Sequence, residues 1–506
     1  MKEIVLKILL TAIGFLYCKT TVLAQWSINE KDTILQKSIT IAQSPVKRAG
    51  IALTEGVALN LGIHLVDRFV LKEEWAQVTP SSIRYNLTHK SIWDNDMIST
   101  NLFAHPYCGG LYFNAARTNG FNFWQSIPFA FVGSSVWECF GENQPASLND
   151  MIATPIGGIA FGEITHQLSH LILDDSQRGW RRFGTELLAG IISPMDLLNR
   201  VLSGDAWRFS PRVYNGESPY LHPAFRIDFS VYNRFLTDLN DNKSNENMGI
   251  KCRVDYGEAF TSQNHNPYDF FMFDINFTVW GKQPFLSEVN LVGILWGKEW
   301  NNAENSWLAG IFQHFDYYDS NPIIEDGRRL YEFAETASFG GGLLYKKQRE
   351  ETQPPRFCGS VYANLVLLGA SESDYYHVDK RNYNLGNGYS IKLNGLFHFG
   401  KHWDAFLGLN HYHIFTSKGY GSLEAEINGL PSNIDFNYAN VQGNKGHARL
   451  DRINLNIGFQ LSPQIKISAE QRLYSRRTHY NYLEDVETSS TENRLQITYT
   501  LSDNNK

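Results

Sequence analysis

The stretch FGEITHQLSH, residues 161–170, sets Glu163, His166 and His170 at i, i+3 and i+7. At 100° per residue the three fall within about 60° of one another on a helix. A carboxylate followed three residues later by histidine is the helical unit of di-iron carboxylate sites, and two histidines four apart can share a zinc ion. Such a centre needs further ligands from other helices. His105 in AHPYCGG, Glu138 in VWECFGEN and Asp150 in LNDM lie within or beside apolar helical runs, where a carboxylate has to be paired, protonated or functional. Glu163, His166 and His170 are therefore the candidate metal ligands. His105, Glu138, Asp150, Glu163 and His166 form the candidate catalytic set, with Glu163 as general base or ligand, His166 as ligand or proton shuttle and His105 as the second histidine.

Each of these residues also has a plain structural use. His105 can hydrogen-bond at a helix start before Pro106, and Asp150 can complete a capping box opened by Ser147. Glu138 can hold Arg117 across two helices, Glu163 can bond neighbouring backbone, and His170 suits a solvated helix C-terminus. No GxSxG, HExxH, P-loop or dinucleotide fingerprint occurs. The commonest enzyme classes are thereby removed, whether the chain is an enzyme stays open, and the cofactor is unknown.

The elements that must position these residues are helices. Apolar helical patterns run near 45–66, 98–117, 122–141, 147–174 and 180–202, a five-helix unit within a domain spanning 45–210. The small residues of GGIAFG imply a second backbone packed closely against the fourth helix. Pro128 is expected to mark a first turn and Pro194 a kink.

Past residue 220 the hydrophobic period changes to two. In AFRIDFSVYNRF, Phe225, Ile227, Phe229 and Val231 alternate with Arg226, Asp228 and Ser230, and RINLNIGFQL repeats the scheme. About twelve strands are expected, near 224–236, 248–261, 268–281, 286–298, 305–318, 330–346, 355–370, 388–400, 403–416, 447–461, 464–477 and 491–502. Runs of this length, an even count and polar connections that alternate between long and short suit an antiparallel transmembrane barrel over 220–506. In such a barrel Arg226, Asp228, Lys392, His398, Arg452, Lys466, Glu470, Arg472 and Arg494 face the lumen, where they pair or line water. A soluble β-sandwich is the competing reading, and the ending TYTLSDNNK departs from the aromatic residue that closes many membrane barrels.

Residues 1–24 have a charged start, an apolar middle and a Val-Leu-Ala suited to cleavage before Gln25, the pattern of a signal peptide; 25–44 form a short N-terminal segment. The chain of 506 residues carries a net charge of −7, and removing a leader of net +2 leaves −9. No basic footprint for nucleic acid remains. Cys108, Cys139, Cys252 and Cys358 form no CxxC pair, so a Cys108–Cys139 bridge is only one of three connectivities.

The words NLFAHPYCGGLYFNAARTNGFNFWQS, GSSVWECFGENQPASLNDMIATPIGGIAFGEITHQLSHLILDD and RGWRRFGTELLAGIISPMDLLNRVLSGDAWR resemble the Bacteroidota domain of unknown function 3943, over about residues 85–210. The resemblance implies an exported, outer-membrane-associated protein with a barrel-like C-terminal part, and it brings no activity. The fold class expected is therefore α+β: an N-terminal all-helical domain followed by an antiparallel outer-membrane β-barrel of about 12 strands. Its partners would be outer-membrane lipid and an envelope or periplasmic protein. Three functions fit: an envelope scaffold or small channel, an envelope enzyme acting on lipid or envelope polymer, and a surface-loop binder of a glycan or partner. The helices are expected on the periplasmic side, under, beside or partly within the barrel.

Overall fold

The computed structural model describes residues 45–209, 224–260, 264–302, 304–324, 327–349, 354–377, 381–420 and 441–503. The leader, the segment 25–44 and most of the loop 417–447 lie outside these residues. Seven α-helices come first: α1 Pro45–Leu65, α2 Pro80–Thr88, α3 His105–Thr118, α4 Phe123–Phe140, α5 Leu148–Ile172, α6 Gly179–Ile192 and α7 Pro194–Ser203. Twelve long strands follow: β1 Phe225–Asp238, β2 Lys243–Tyr256, β3 Phe271–Trp280, β4 Leu286–Asn301, β5 Asn305–Asp319, β6 Glu332–Lys347, β7 Phe357–Glu372, β8 Tyr383–Phe399, β9 Trp403–Phe415, β10 Gly446–Gln460, β11 Ile465–Tyr480 and β12 Val486–Asp503. Each pairs antiparallel with its neighbours in sequence, and β1 pairs with β12 from Phe225↔Asp503 to Asp238↔Ser490, which closes the ring. A two-residue strand, Asn264–His265, adds to β4 near the rim.

The barrel is that of a membrane protein. Its uncovered outer wall carries Leu455, Ile457 and Ile497, exposed to 42%, 47% and 60%, while Arg226, Asp228, Lys392, His398, Arg452, Lys466, Glu470 and Arg472 line the interior. Trp296, Trp300, Phe397, Phe399 and Trp403 are exposed near one rim, as in the aromatic girdle of outer-membrane barrels. That rim, where β1 begins, is termed proximal here. Burying ionic side chains inward and apolar ones outward is the arrangement that a hydrocarbon solvent stabilises and that water does not.

Loop lengths depart from the expected asymmetry. β1 and β2 are joined distally by only residues 239–242, and β11 and β12 by 481–485, because polar runs such as KSNEN and VETSS continue the ladders instead of forming loops. The link 257–270, at the proximal rim, is longer than either.

Helix starts follow capping chemistry. Thr79 with Ser82, and Asn122 with Gln125, form reciprocal boxes at α2 and α4. Pro128 sits inside α4 rather than in its first turn. Pro194 does not kink one helix but begins another, since α6 ends at Ile192 and the extended Ser193 separates it from α7. GGIAFG does bring two backbones together: a Cβ on Gly109 of α3 or on Gly158 of α5 would collide with main-chain atoms of the other helix. All four described cysteines are free.

The helical domain does not sit beneath the barrel; it lies along the outer wall. Alternation decides the side. On β5, His314, Asp316 and Tyr318 line the lumen, so Gln313, Phe315 and Tyr317 point outward. Phe315 and Tyr317 are nonetheless 0% and 1% exposed, because Phe161 of α5 meets Phe315 edge-on and Phe103 packs on Tyr317. Gln313 Nε2 donates to the Ile156 carbonyl at 2.7 Å. The contact runs from rim to rim: Tyr256, at the proximal end of β2, donates to Gln167 of α5 at 2.9 Å, and Tyr383, at the distal end of β8, donates to the Asp96 carbonyl at 2.8 Å. Helix and wall share one apolar core with Val254, Phe271, Leu291, Ala334, Leu368 and Leu385.

Candidate functional site

The five residues nominated from sequence do not converge. They separate into two polar clusters and one ion pair.

The first cluster joins His105, Glu138 and Asp150. One nitrogen and two carboxylate oxygens, one atom from each residue, lie within 4.8 Å of one another, with His105 Nε2 3.9 Å from Asp150 Oδ2. The Ser147 hydroxyl accepts from the Asp150 amide at 3.2 Å. The reciprocal half of the expected box is missing, because the Ser147 amide donates to Glu138 Oε2 at 2.7 Å. The Asp150 carboxyl is thereby left free of a capping duty. It neighbours the Asp94 carboxylate instead, the two sharing Asn149 as a donor. Asn149 Nδ2 donates to both, at 3.1 Å to Asp94 and 3.2 Å to Asp150, and Asn101 Nδ2 also donates to Asp94.

Glu163 belongs elsewhere. Arg117 grips it bidentately, Nε to Oε2 at 2.7 Å and Nη2 to Oε1 at 3.0 Å, and Gln167 adds a bond at 2.8 Å. The expected partners are exchanged: Arg117 holds Glu163 and not Glu138, and Glu163 bonds side chains and not backbone. A carboxylate with its lone pairs occupied by a guanidinium fork is a poor ligand and a poor base, so Glu163 leaves both candidate sets.

The second cluster keeps His166 and His170 together. Asp196 of α7 accepts from His166 Nδ1 at 3.1 Å, Ser169 Oγ at 2.9 Å and His170 Nε2 at 3.2 Å. His170 is half exposed and Asp196 buried. This triad lies one helical stretch away from His105 and braces α5 to α7. Asp196 takes the place in the metal-ligand set that Glu163 was expected to fill.

Sequence reasoning missed Asp94 and Asp196. Asp94 lies in WDND, a polar link without periodicity, and Asp196 follows Pro194 in a first turn where an acidic residue has an ordinary helix-dipole use.

The lumen carries a third set of ionisable groups, and these are paired. Glu288 accepts from Arg452 at 2.8 Å and Arg472 at 2.6 Å; Arg472 also holds Glu470 at 2.8 Å. Glu492 pairs with Arg494 and, at 3.0 Å, with Arg234. Lys392 bridges Asp316 at 2.6 Å and Glu335 at 3.1 Å. Tyr331, from the link between β5 and β6, folds inward, stacks on Tyr474 and accepts from Arg234 at 2.9 Å. These side chains fill the middle and distal lumen. Below them a cavity of about 940 Å³ is lined by Arg226, Lys251, Arg253, Lys346, His398 and Asp404 among others.

Residues 90–195 match the family described as Domain of unknown function (DUF3943), a span that holds every nominated site residue. Comparison with curated proteins finds no match. Among solved structures the chain is similar to the NanC porin (9% identity, 54% of this chain and 100% of that one, TM-score 0.26). It is also similar to an outer membrane channel from Pseudomonas putida F1 (10%, 58% and 100%, 0.29) and to the outer membrane channel DcaP of Acinetobacter baumannii (8%, 55% and 96%, 0.23). Likeness at these scores says nothing about what this chain transports or binds.

Proposed function

We propose that the barrel is an outer-membrane anchor whose main task is to hold the helical domain within the bilayer, and that the domain, not the lumen, carries the protein's role. The observation behind this reading is the burial of outward-facing wall residues beneath helices from one rim to the other. A domain fixed along the whole height of a membrane barrel shares its solvent. The helices are suited to that solvent: Leu53, Val57, Leu61 and Leu65 form an exposed i, i+4 stripe on α1, and Phe131, Val132, Phe183, Leu187 and Ile191 are exposed on α4 and α6. The helical run Pro45–Leu71 is long and apolar enough to cross a membrane. Lipid is then the first partner, and a lipid or envelope polymer arriving sideways through the bilayer is the substrate class that an enzymatic domain here would meet.

A second reading, a small-solute channel, draws on the ionic 940 Å³ vestibule; the arginine–glutamate layer would be its gate. Conductance of the purified full chain in planar bilayers separates the two. The anchor reading expects no unitary steps above background, and steady ohmic channels at neutral pH would replace it with the channel reading.

A further inference from the structure

We infer that His105, Glu138, Asp150 and Asp94 form a binding site for one divalent first-row transition ion within the helical domain. Buried carboxylates are normally paired, and those of the lumen are. Among the described residues, no lysine or arginine forms an ion pair with Asp94, Glu138 or Asp150. Arg381, which reaches Asp94, donates to its carbonyl oxygen at 2.7 Å and not to its carboxylate. Glu138 and Asp150, buried among apolar helices, and the partly buried Asp94 therefore have one imidazole between them, and a divalent ion is the neutralising group this geometry lacks.

A separate observation points the same way. Asn101 is wholly buried and its Oδ1 has no hydrogen-bond partner, although its Nδ2 is spent on Asp94 and Tyr383. An acceptor left empty on a side chain bonded to Asp94 fits a site that receives a cation or its water, since that lone pair then finds a use. The ligand chemistry narrows the ion. Three oxygens and one imidazole suit Mn²⁺, Fe²⁺ or Zn²⁺ better than Ca²⁺, which takes oxygen ligands, or Cu⁺, which takes thiolates. Adjacent ligand atoms of such ions stand roughly 3.0–3.4 Å apart at bond lengths near 2.1 Å; His105, Glu138 and Asp150 already bring one atom each within 4.8 Å of one another, and Asp94 joins them through Asn149. His105 retains 15% side-chain exposure, which gives the ion one open edge.

The test uses the full chain in detergent, stripped with chelator and titrated with Mn²⁺ or Zn²⁺. About one ion is expected to bind per chain. His105→Gln and Asp150→Asn should each weaken binding by more than about tenfold, while Asp196→Asn, which dismantles the other histidine cluster, should leave it unchanged. The stoichiometry on the unaltered protein needs no variant, so it remains readable even if a substitution prevents folding. Absence of stoichiometric binding, or loss of binding in Asp196→Asn alone, would overturn the assignment.

Discussion

Two buried carboxylate sets in one chain are treated in opposite ways. In the lumen, Glu288, Glu470 and Glu492 are each held by arginine, and Asp316 and Glu335 share Lys392. In the helical domain, Asp94, Glu138 and Asp150 have one histidine among them and no lysine or arginine ion pair among the described residues. The first arrangement is what a lattice of charges needs to remain closed in a dry interior, since a buried carboxylate is tolerable when its lone pairs face guanidinium donors. The second is not self-sufficient, and that is the mark of a site. The difference separates a barrel built to stay as it is from a domain built to receive something.

Substitutions should therefore differ sharply in cost between the two regions. The largest effect is expected for Arg472→Ala, which leaves Glu288 with Arg452 and the more distant Arg494 and strips Glu470 of its ion-pair partner. About 3–5 kcal/mol of stability should be lost, read as a lower midpoint in thermal or denaturant unfolding in detergent, accompanied by rising conductance as the layer opens. A midpoint equal to that of the unaltered protein would mean that the lumen network is ornament to a barrel held by its ladders. The smaller effect is Asp150→Asn. Removing one of three crowded carboxylates, with the amide still able to bond Asp94, should leave the metal-free protein within about 1 kcal/mol of its starting stability, or above it. A loss as large as that of Arg472→Ala would show that the cluster is a structural network and erase the contrast.

Much of this architecture was legible in the sequence, for a physical reason. Period-two alternation is imposed on every residue of a wall with lipid on one side and ions on the other, so all twelve strands were found, and the nominated lumen residues do face inward. Strand ends were less legible. β2 was placed at 248–261 and lies at 243–256, because ladder pairing continues through KSNEN above the level where hydrophobicity can report it. The docking of helices on the wall left no trace at all: Phe315 and Tyr317 are apolar whether lipid or α5 covers them. His105, Glu138 and Asp150 were visible as polar groups in apolar runs. Their separation from Glu163 was not, since Arg117 could have gone to either glutamate and the choice is made in three dimensions. Asp94 carries no local signal, and only the fold brings it to Asp150.

The central claim is that the helical domain lies at bilayer depth beside the barrel. A nitroxide at Val132 of α4, placed in a variant with Cys18, Cys108, Cys139, Cys252 and Cys358 replaced by serine and reconstituted in lipid, tests it directly. Matching labels at Leu455 on the bare wall and Asn240 in the β1–β2 turn give the lipid and water references. The account predicts that Val132 behaves as Leu455 does, readily relaxed by dissolved oxygen and shielded from a water-soluble nickel chelate. Relaxation by nickel comparable to that at Asn240 would place the domain in water and contradict it.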